Sequence, residues 1–221
     1  MRHLHSAALA PAAQLLLPRL AGRSWAREVY LAGSAALALH LAHRPVRDLD
    51  LMSSTLRLTG PERRDLLADL QRLDPEVRVE TARDGYLFAR LGDVGLKLFH
   101  YPYPLIDEEG EACGLALASA LDLGLMKLAA IISRGERRDF VDLYLLCRTL
   151  PLRSLLERAP EKFGHVGDFA LQALKGLADR EAAAGEPAPR LALPLAWDAV
   201  EEWLAAEVRG LGRAGLALGE A

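Results

Sequence analysis

The chain has 221 residues, 51% hydrophobic and 26% charged, with a formal net charge of −3. This composition fits a globular protein with one large core or two smaller ones, and it excludes a chain that is basic overall, though not a local basic groove. Its two cysteines, Cys113 and Cys147, lack metal-ligand spacing and give no reason to expect a disulfide framework, so a reducing cytoplasmic setting is expected.

No apolar run approaches the roughly 18 to 20 residues of a membrane helix. The N-terminal stretch has some signal-peptide character, but Pro11, Gln14 and Pro18 interrupt it and Arg19 and Arg23 follow it. A packing helix over residues 7–21 is the better reading. Glu28 to Ala32 reads as a short strand ending at Gly33, with Ser34 as cap of a helix over Ala35 to Ala42. Pro45 stops that helix, and Arg47 to Met52 is a second strand. Thr59-Gly-Pro-Glu62 carries the hydroxyl-to-glutamate spacing of a capping box and opens a helix to Leu73. Val77 to Arg83, Tyr86 to Leu91 and Val94 to Tyr101 alternate as strands around Asp84-Gly85 and Gly92-Asp93 turns, an antiparallel meander.

From Ser119 onward the pattern is helical. Ser119 and Asp122 have the spacing of a second capping box, and Leu121, Leu125, Leu128 and Ile132 form one apolar stripe before Gly135. Further helices are expected over Arg138 to Thr149, Leu152 to Arg158, Val166 to Ala183 and Trp197 to Val208, and the last ten residues read as loose. Mixed strands and helices followed by helices alone imply an α/β or α+β half and a helical half. We place the boundary at 1–110 and 111–221.

Three groups of residues carry chemistry. Asp48 and Asp50 are two apart in a strand, so both carboxylates share one face and Leu49 and Leu51 the other. Such a pair is either a solvated strand edge or a site for a hard divalent cation, Mg²⁺ or Mn²⁺, that in turn holds phosphate. Gly33-Ser34, between a strand and a helix, offers backbone N–H groups to an anion, or is only a turn. Arg44 and Arg47 follow the helix and are either phosphate clamps or favourable cations at its C-terminus. Lys127 lies in an otherwise apolar helix, where its ammonium needs an anion or water. Arg134 is seven residues on and can face the same way. Asp139 and Asp142 are three apart and face together. This block either addresses phosphates and a metal or is a salt-bridge network of Arg137, Arg138, Asp139 and Asp142.

The run Ala32-Gly-Ser-Ala-Ala-Leu-Ala-Leu-His-Leu-Ala-His-Arg-Pro-Val-Arg-Asp-Leu-Asp-Leu51 resembles the first motif of the AbiEii/AbiGii-type nucleotidyltransferases. Met126-Lys-Leu-Ala-Ala-Ile131 and Arg134-Gly-Glu-Arg-Arg-Asp-Phe-Val-Asp-Leu-Tyr144 resemble the same family's C-terminal motif, and Tyr101-Pro-Tyr-Pro-Leu105 fits a subgroup. The resemblance covers about residues 25 to 150. It implies an α+β DNA polymerase β-like nucleotidyltransferase core, a mixed or antiparallel sheet with flanking helices, followed by a helical half that completes the active-site cleft. It implies an NTP-dependent nucleotidyltransferase, the toxin of a type IV toxin–antitoxin or abortive-infection system, with tRNA or protein as acceptor and a cognate antitoxin as partner. On that pattern Gly33 and Ser34 hold the triphosphate, Asp48 and Asp50 the metal, Lys127 the phosphates, and Asp139 or Asp142 supports catalysis, with Arg44, Arg47 and Arg134 as further phosphate contacts. Ala32, Ala35 and Val46 depart from the motif. The strand Gly95 to Tyr101 has no carboxylate where polymerase β-like enzymes often carry a third. That gap leaves room for a second reading, a nucleotide-sensing or protein-binding module of the same fold.

Overall fold

A computed structural model describes residues 4–107 and 110–213; the last eight of the C-terminal residues expected to be loose lie outside this range. The chain divides into two units, Met1–Ser119 and Ala120–Ala221.

The first unit is built on strands β1 (Tyr30–Ala32), β2 (Leu49–Ser53), β3 (Arg78–Arg83), β4 (Tyr86–Leu91), β5 (Val94–His100), β6 (Glu111–Ala112) and β7 (Leu115–Leu117). They form one sheet in the order β3-β4-β5-β2-β1-β7-β6. The meander β3-β4-β5 is antiparallel, as its turns require. β5 then pairs with β2 in parallel, and β2 with β1 antiparallel, so the sheet is mixed. This is the α+β architecture expected from the sequence. β6 and β7, two and three residues long, are too short to give a periodic signal.

Period-two alternation sorts the two faces of the sheet. Leu49 and Leu51 of β2, Leu87 and Ala89 of β4, and Leu96 and Leu98 of β5 are all buried. Burying one such leucine contributes about 1.5–3 kcal/mol, so a one-residue slip that turned this set to water would be ruinous. The opposite face carries Asp50 and Met52, Tyr86 and Phe88, and Lys97 and Phe99, each half-buried. β3 departs from expectation: its six residues are all exposed, because it is the sheet's outer edge. Its charges at Arg78, Glu80 and Arg83 suit an edge that must not pair with another chain.

Among the described residues three α-helices accompany the sheet. α1 (Pro11–Ala21) starts on a proline at its first position, while Ser6–Ala8 forms a separate 3-10 turn, so the expected helix begins later. α2 (Gly33–Leu41) is apolar nearly all round and packs against β1 and β2, with Ala35 through Ala38 inaccessible. α3 (Gly60–Leu73) opens on the Thr59/Glu62 capping box.

The second unit is helical: α4 (Ala120–Ser133), α5 (Arg137–Leu146), α6 (Leu152–Phe163), α7 (Phe169–Ala178), α8 (Glu181–Ala184) and α9 (Trp197–Arg213). The helix expected over Val166 to Ala183 is broken at Asp179 and Arg180 into α7 and α8. α6 continues past Arg158 through Pro160, because Ala159, Lys162 and Phe163 extend its buried face. Asp122 of α4 is fully buried and its Oδ1 accepts a 2.7 Å bond from Lys162 Nζ, which is equally buried. No helix among the described residues is long and apolar enough to cross a membrane.

Candidate active site

Strand β2 and the residue just before it carry the pair Asp48 and Asp50. Asp48 lies just before it and Asp50 within it, on the face opposite Leu49 and Leu51. Across the antiparallel ladder Asp50 is opposite Ala32, and the next residue, Gly33, starts α2. The amino end of α2, with its outward N–H groups and positive dipole end, is thereby set beside a carboxylate. Gly33 has φ +58°, a left-handed conformation that lets the chain pass from strand to helix in one step. The helix therefore starts before Ser34. Ser34 is not its cap but a first-turn residue whose Oγ accepts a 2.7 Å bond from Arg44 Nη2.

Two glycines make room for the carboxylates. A Cβ on Gly33 would overlap Asp50 Oδ2, and one on Gly95 would lie 2.7 Å from Asp48 Oδ1. The Gly95 N–H instead donates to Asp48 Oδ1 at 3.1 Å. Gly33→Ala is therefore expected to cost about 1–3 kcal/mol of stability from backbone strain and overlap, and to displace Asp50. A lowered melting temperature together with weakened Mg²⁺ binding checks this; a variant that melts and binds like wild type contradicts it.

The pair does not stand alone. Lys97 of β5 is the register partner of Asp50, and its Nζ lies 3.7 Å from Asp48 Oδ2 and 3.7 Å from Asp50 Oδ1. Asp50 Oδ1 is buried and accepts no hydrogen bond. Tyr86, on the same face, has its hydroxyl pKa raised by burial and then by the negative charge of Asp50, partly offset by Arg83. Among the described residues no three His, Cys, Asp or Glu side chains converge on a metal-sized site. Two carboxylates still fit a Mg²⁺-type ion, which is commonly held by one or two carboxylates plus substrate phosphate oxygens.

In the helical unit Lys127, Arg134, Asp139 and Asp142 form a cluster of their own. Lys127 Nζ is 3.0 Å from Asp139 Oδ1 and 2.7 Å from Asp142 Oδ2, and both carboxylates are fully buried. Arg134 grips Asp139 with Nε at 2.8 Å and Nη2 at 2.9 Å, a bidentate pair. Burial pushes the Asp139 carboxyl up, but the Arg134 hydrogen bonds and the Lys127 charge outweigh it and hold the carboxyl below its ordinary value. A depressed folded-state pKa contributes stability above the unfolded value, near pH 4, that is lost as pH falls through the folded one. Melts stepped through acid should show this loss in wild type and a flatter profile in Asp139→Asn; identical profiles would contradict it.

The structure thus gathers Gly33, Ser34, Arg44, Asp48 and Asp50 in one unit and Lys127, Arg134, Asp139 and Asp142 in the other. Arg47 is exposed and forms no ion pair with either aspartate. The salt-bridge network expected between the two helices does form through Asp139 and Asp142, but its cations are Lys127 and Arg134: Arg137 donates to Glu186 and lies over the Trp197 ring, and Arg138 pairs with Glu136. Sequence reasoning missed Lys97. Its alternating strand placed it on the open face, but only the parallel β2-β5 pairing puts it between the two aspartates.

The fold is shared with a protein described as a candidate nucleotidyltransferase from H. pylori, whose crystal structure matches with a TM-score of 0.55 at 16% identity, covering 96% of this chain and 100% of that one. The chain belongs to the AbiEii family, described as nucleotidyl transferase AbiEii toxin of type IV toxin–antitoxin systems, whose model matches residues 91–202. An uncharacterised protein of Aquifex aeolicus is 30% identical over 152 residues, 65% of this chain and 70% of that protein.

Proposed function

We propose that this nucleotidyltransferase moves a nucleoside monophosphate from an NTP to an acceptor hydroxyl, with Asp48 and Asp50 at the reacting centre. The observation that carries the reading is the buried, unbonded Oδ1 of Asp50 beside the amino end of α2. Asp48 and Asp50 would hold a divalent cation, Mg²⁺ or Mn²⁺, which when bound offsets phosphate charge and favours displacement at the α-phosphorus. The first-turn N–H groups of α2 and the Ser34 hydroxyl would bind the triphosphate, with Arg44 fixing the serine. The acceptor hydroxyl gives its proton to solvent as its oxygen bonds to the α-phosphorus, the bond to the bridging oxygen breaks, and pyrophosphate leaves. This chain's contribution is positioning and fixed charge rather than a covalent intermediate. Lys127, paired with Asp139 and Asp142 in the helical unit, would be a phosphate contact that must exchange one of its carboxylate partners for substrate.

A tRNA end is the acceptor we favour, a protein hydroxyl the alternative, and a cognate antitoxin the expected partner, the antitoxin resting on family membership. The experiment incubates the protein with each labelled NTP and total tRNA or protein, comparing wild type with the Asp48→Ala/Asp50→Ala variant. Label on tRNA in wild type alone supports the reading; label on protein alone moves the acceptor. Tight Mg²⁺-NTP binding without transfer to any acceptor supports the nucleotide-sensing alternative, which the Lys97 contact to both aspartates favours.

A further inference from the structure

We infer that Lys97 is a built-in cation set between Asp48 and Asp50, so that the aspartate pair takes one divalent ion rather than two. The inference rests on the reading of Asp48 and Asp50 as metal ligands and goes beyond it in assigning the number of ions and the role of a lysine.

Three observations carry it. First, β5 runs parallel to β2, with Lys97 in register with Asp50; its sequence, Val94-Gly-Leu-Lys-Leu-Phe-His100, places the ammonium and no carboxylate on the open face. Second, Nζ is equidistant from one oxygen of each aspartate, 3.7 Å from both, which is the point where a bridging cation would feel both charges. At that separation neither contact is a hydrogen bond, and Asp50 Oδ1 keeps its acceptor capacity. Third, the lysine is held from behind. Phe88 of β4 is its other register partner, and Nζ lies 5.4 Å from the Phe88 ring centroid. Phe88, Lys97 and Asp50 therefore form one cross-strand row that fixes the ammonium at the pair.

The charge balance follows. Two carboxylates and one ammonium leave a single negative charge, which one divalent ion more than satisfies. A second ion would face both the first and Lys97 across a few ångströms. In the metal-free protein Lys97 also relieves the repulsion between the aspartates, so it pre-orders the ligands and competes with the ion they bind. Lys97 is thus a positioning residue acting through Asp48 and Asp50.

The test is Mn²⁺ binding to the full-length protein without nucleotide, followed by loss of the free-ion electron paramagnetic resonance signal. Wild type is expected to bind one ion, and Asp50→Asn to lose it. Lys97→Gln should still bind one ion but about tenfold more tightly or better, the equivalent of about 1.4 kcal/mol. Lys97→Asp, which replaces the ammonium by a third carboxylate, should gain a second. Lys97→Arg keeps the charge and should match wild type, which keeps the test valid should the neutral variant fold poorly. Two ions in wild type, or an affinity of Lys97→Gln within twofold of wild type, overturns the inference while leaving the metal site standing. Equal Mn²⁺ binding by wild type and Asp50→Asn removes the metal site itself.

Discussion

Asp50→Asn is expected to slow nucleotidyl transfer by about 10³-fold or more while leaving the fold intact. The substitution keeps size and shape in a strand whose neighbours Leu49 and Leu51 are fully buried, so the core does not register it. It removes the charge of the carboxylate whose Oδ1 is buried and unbonded beside the α2 terminus. It also leaves Lys97 with one carboxylate instead of two. Asp48→Asn should act in the same direction but less severely. The Asp48 side chain is 39% exposed against 20% for Asp50, and its Oδ1 already accepts the Gly95 N–H. Initial rates at saturating NTP and Mg²⁺, beside a thermal melt, separate the two effects. Asp50→Asn retaining activity within tenfold of wild type, with wild-type stability, would show that this carboxylate does not serve the reaction.

The largest stability effect is expected away from that site, at the Asp122–Lys162 pair. Both side chains are fully buried and 2.7 Å apart. Burial pushes the Lys162 ammonium pKa down, and the hydrogen bond and charge of Asp122 partly restore it. Asp122→Ala removes this carboxylate from a fully buried ammonium and should cost about 3–5 kcal/mol, a melting-temperature drop of about 10 °C or more for a unit of this size. The Asp122→Leu/Lys162→Met double variant should lie much nearer wild type, because it leaves neither a buried charge nor its desolvation cost. Since the folded lysine holds its proton less tightly than the unfolded one, wild-type stability should gain from this residue as pH rises from its lowered folded pKa toward the ordinary lysine value. Denaturant titration of the two variants tests the account; equal destabilisation of single and double variants would contradict it.

Much of this was legible in the chain. The α3 capping box and the Asp84-Gly85 hairpin are local devices, written within four residues and read there. The shared face of Asp48 and Asp50 follows from strand alternation alone, and that of Asp139 and Asp142 from helical spacing. What was not legible is non-local. The position of Lys97 between the aspartates needs β5, already paired with β4 on one edge, to pair in parallel with the distant β2 on the other, and no short-range signal specifies that. The Lys127 partners were likewise open: spacing allowed a phosphate or a network, and the folded unit pairs it with Asp139 and Asp142. Lys162 was available to a closer reading. It falls on the apolar stripe of Leu152, Leu155, Leu156, Ala159 and Phe163, where a cation needs a buried partner. The Gly33 turn was legible as a turn, but the helix start before Ser34 was not, because a serine after glycine reads as a cap unless the left-handed backbone at Gly33 is known.

The most direct measurement places the label first on the α-phosphate and then on the γ-phosphate of the same NTP, with tRNA and Mg²⁺ present. Nucleotidyl transfer predicts that α-label enters the acceptor, that γ-label leaves entirely as pyrophosphate, and that both events stop in Asp50→Asn and in chelator. Transfer of γ-label to the acceptor, or α-label incorporation undiminished in Asp50→Asn, would contradict the account.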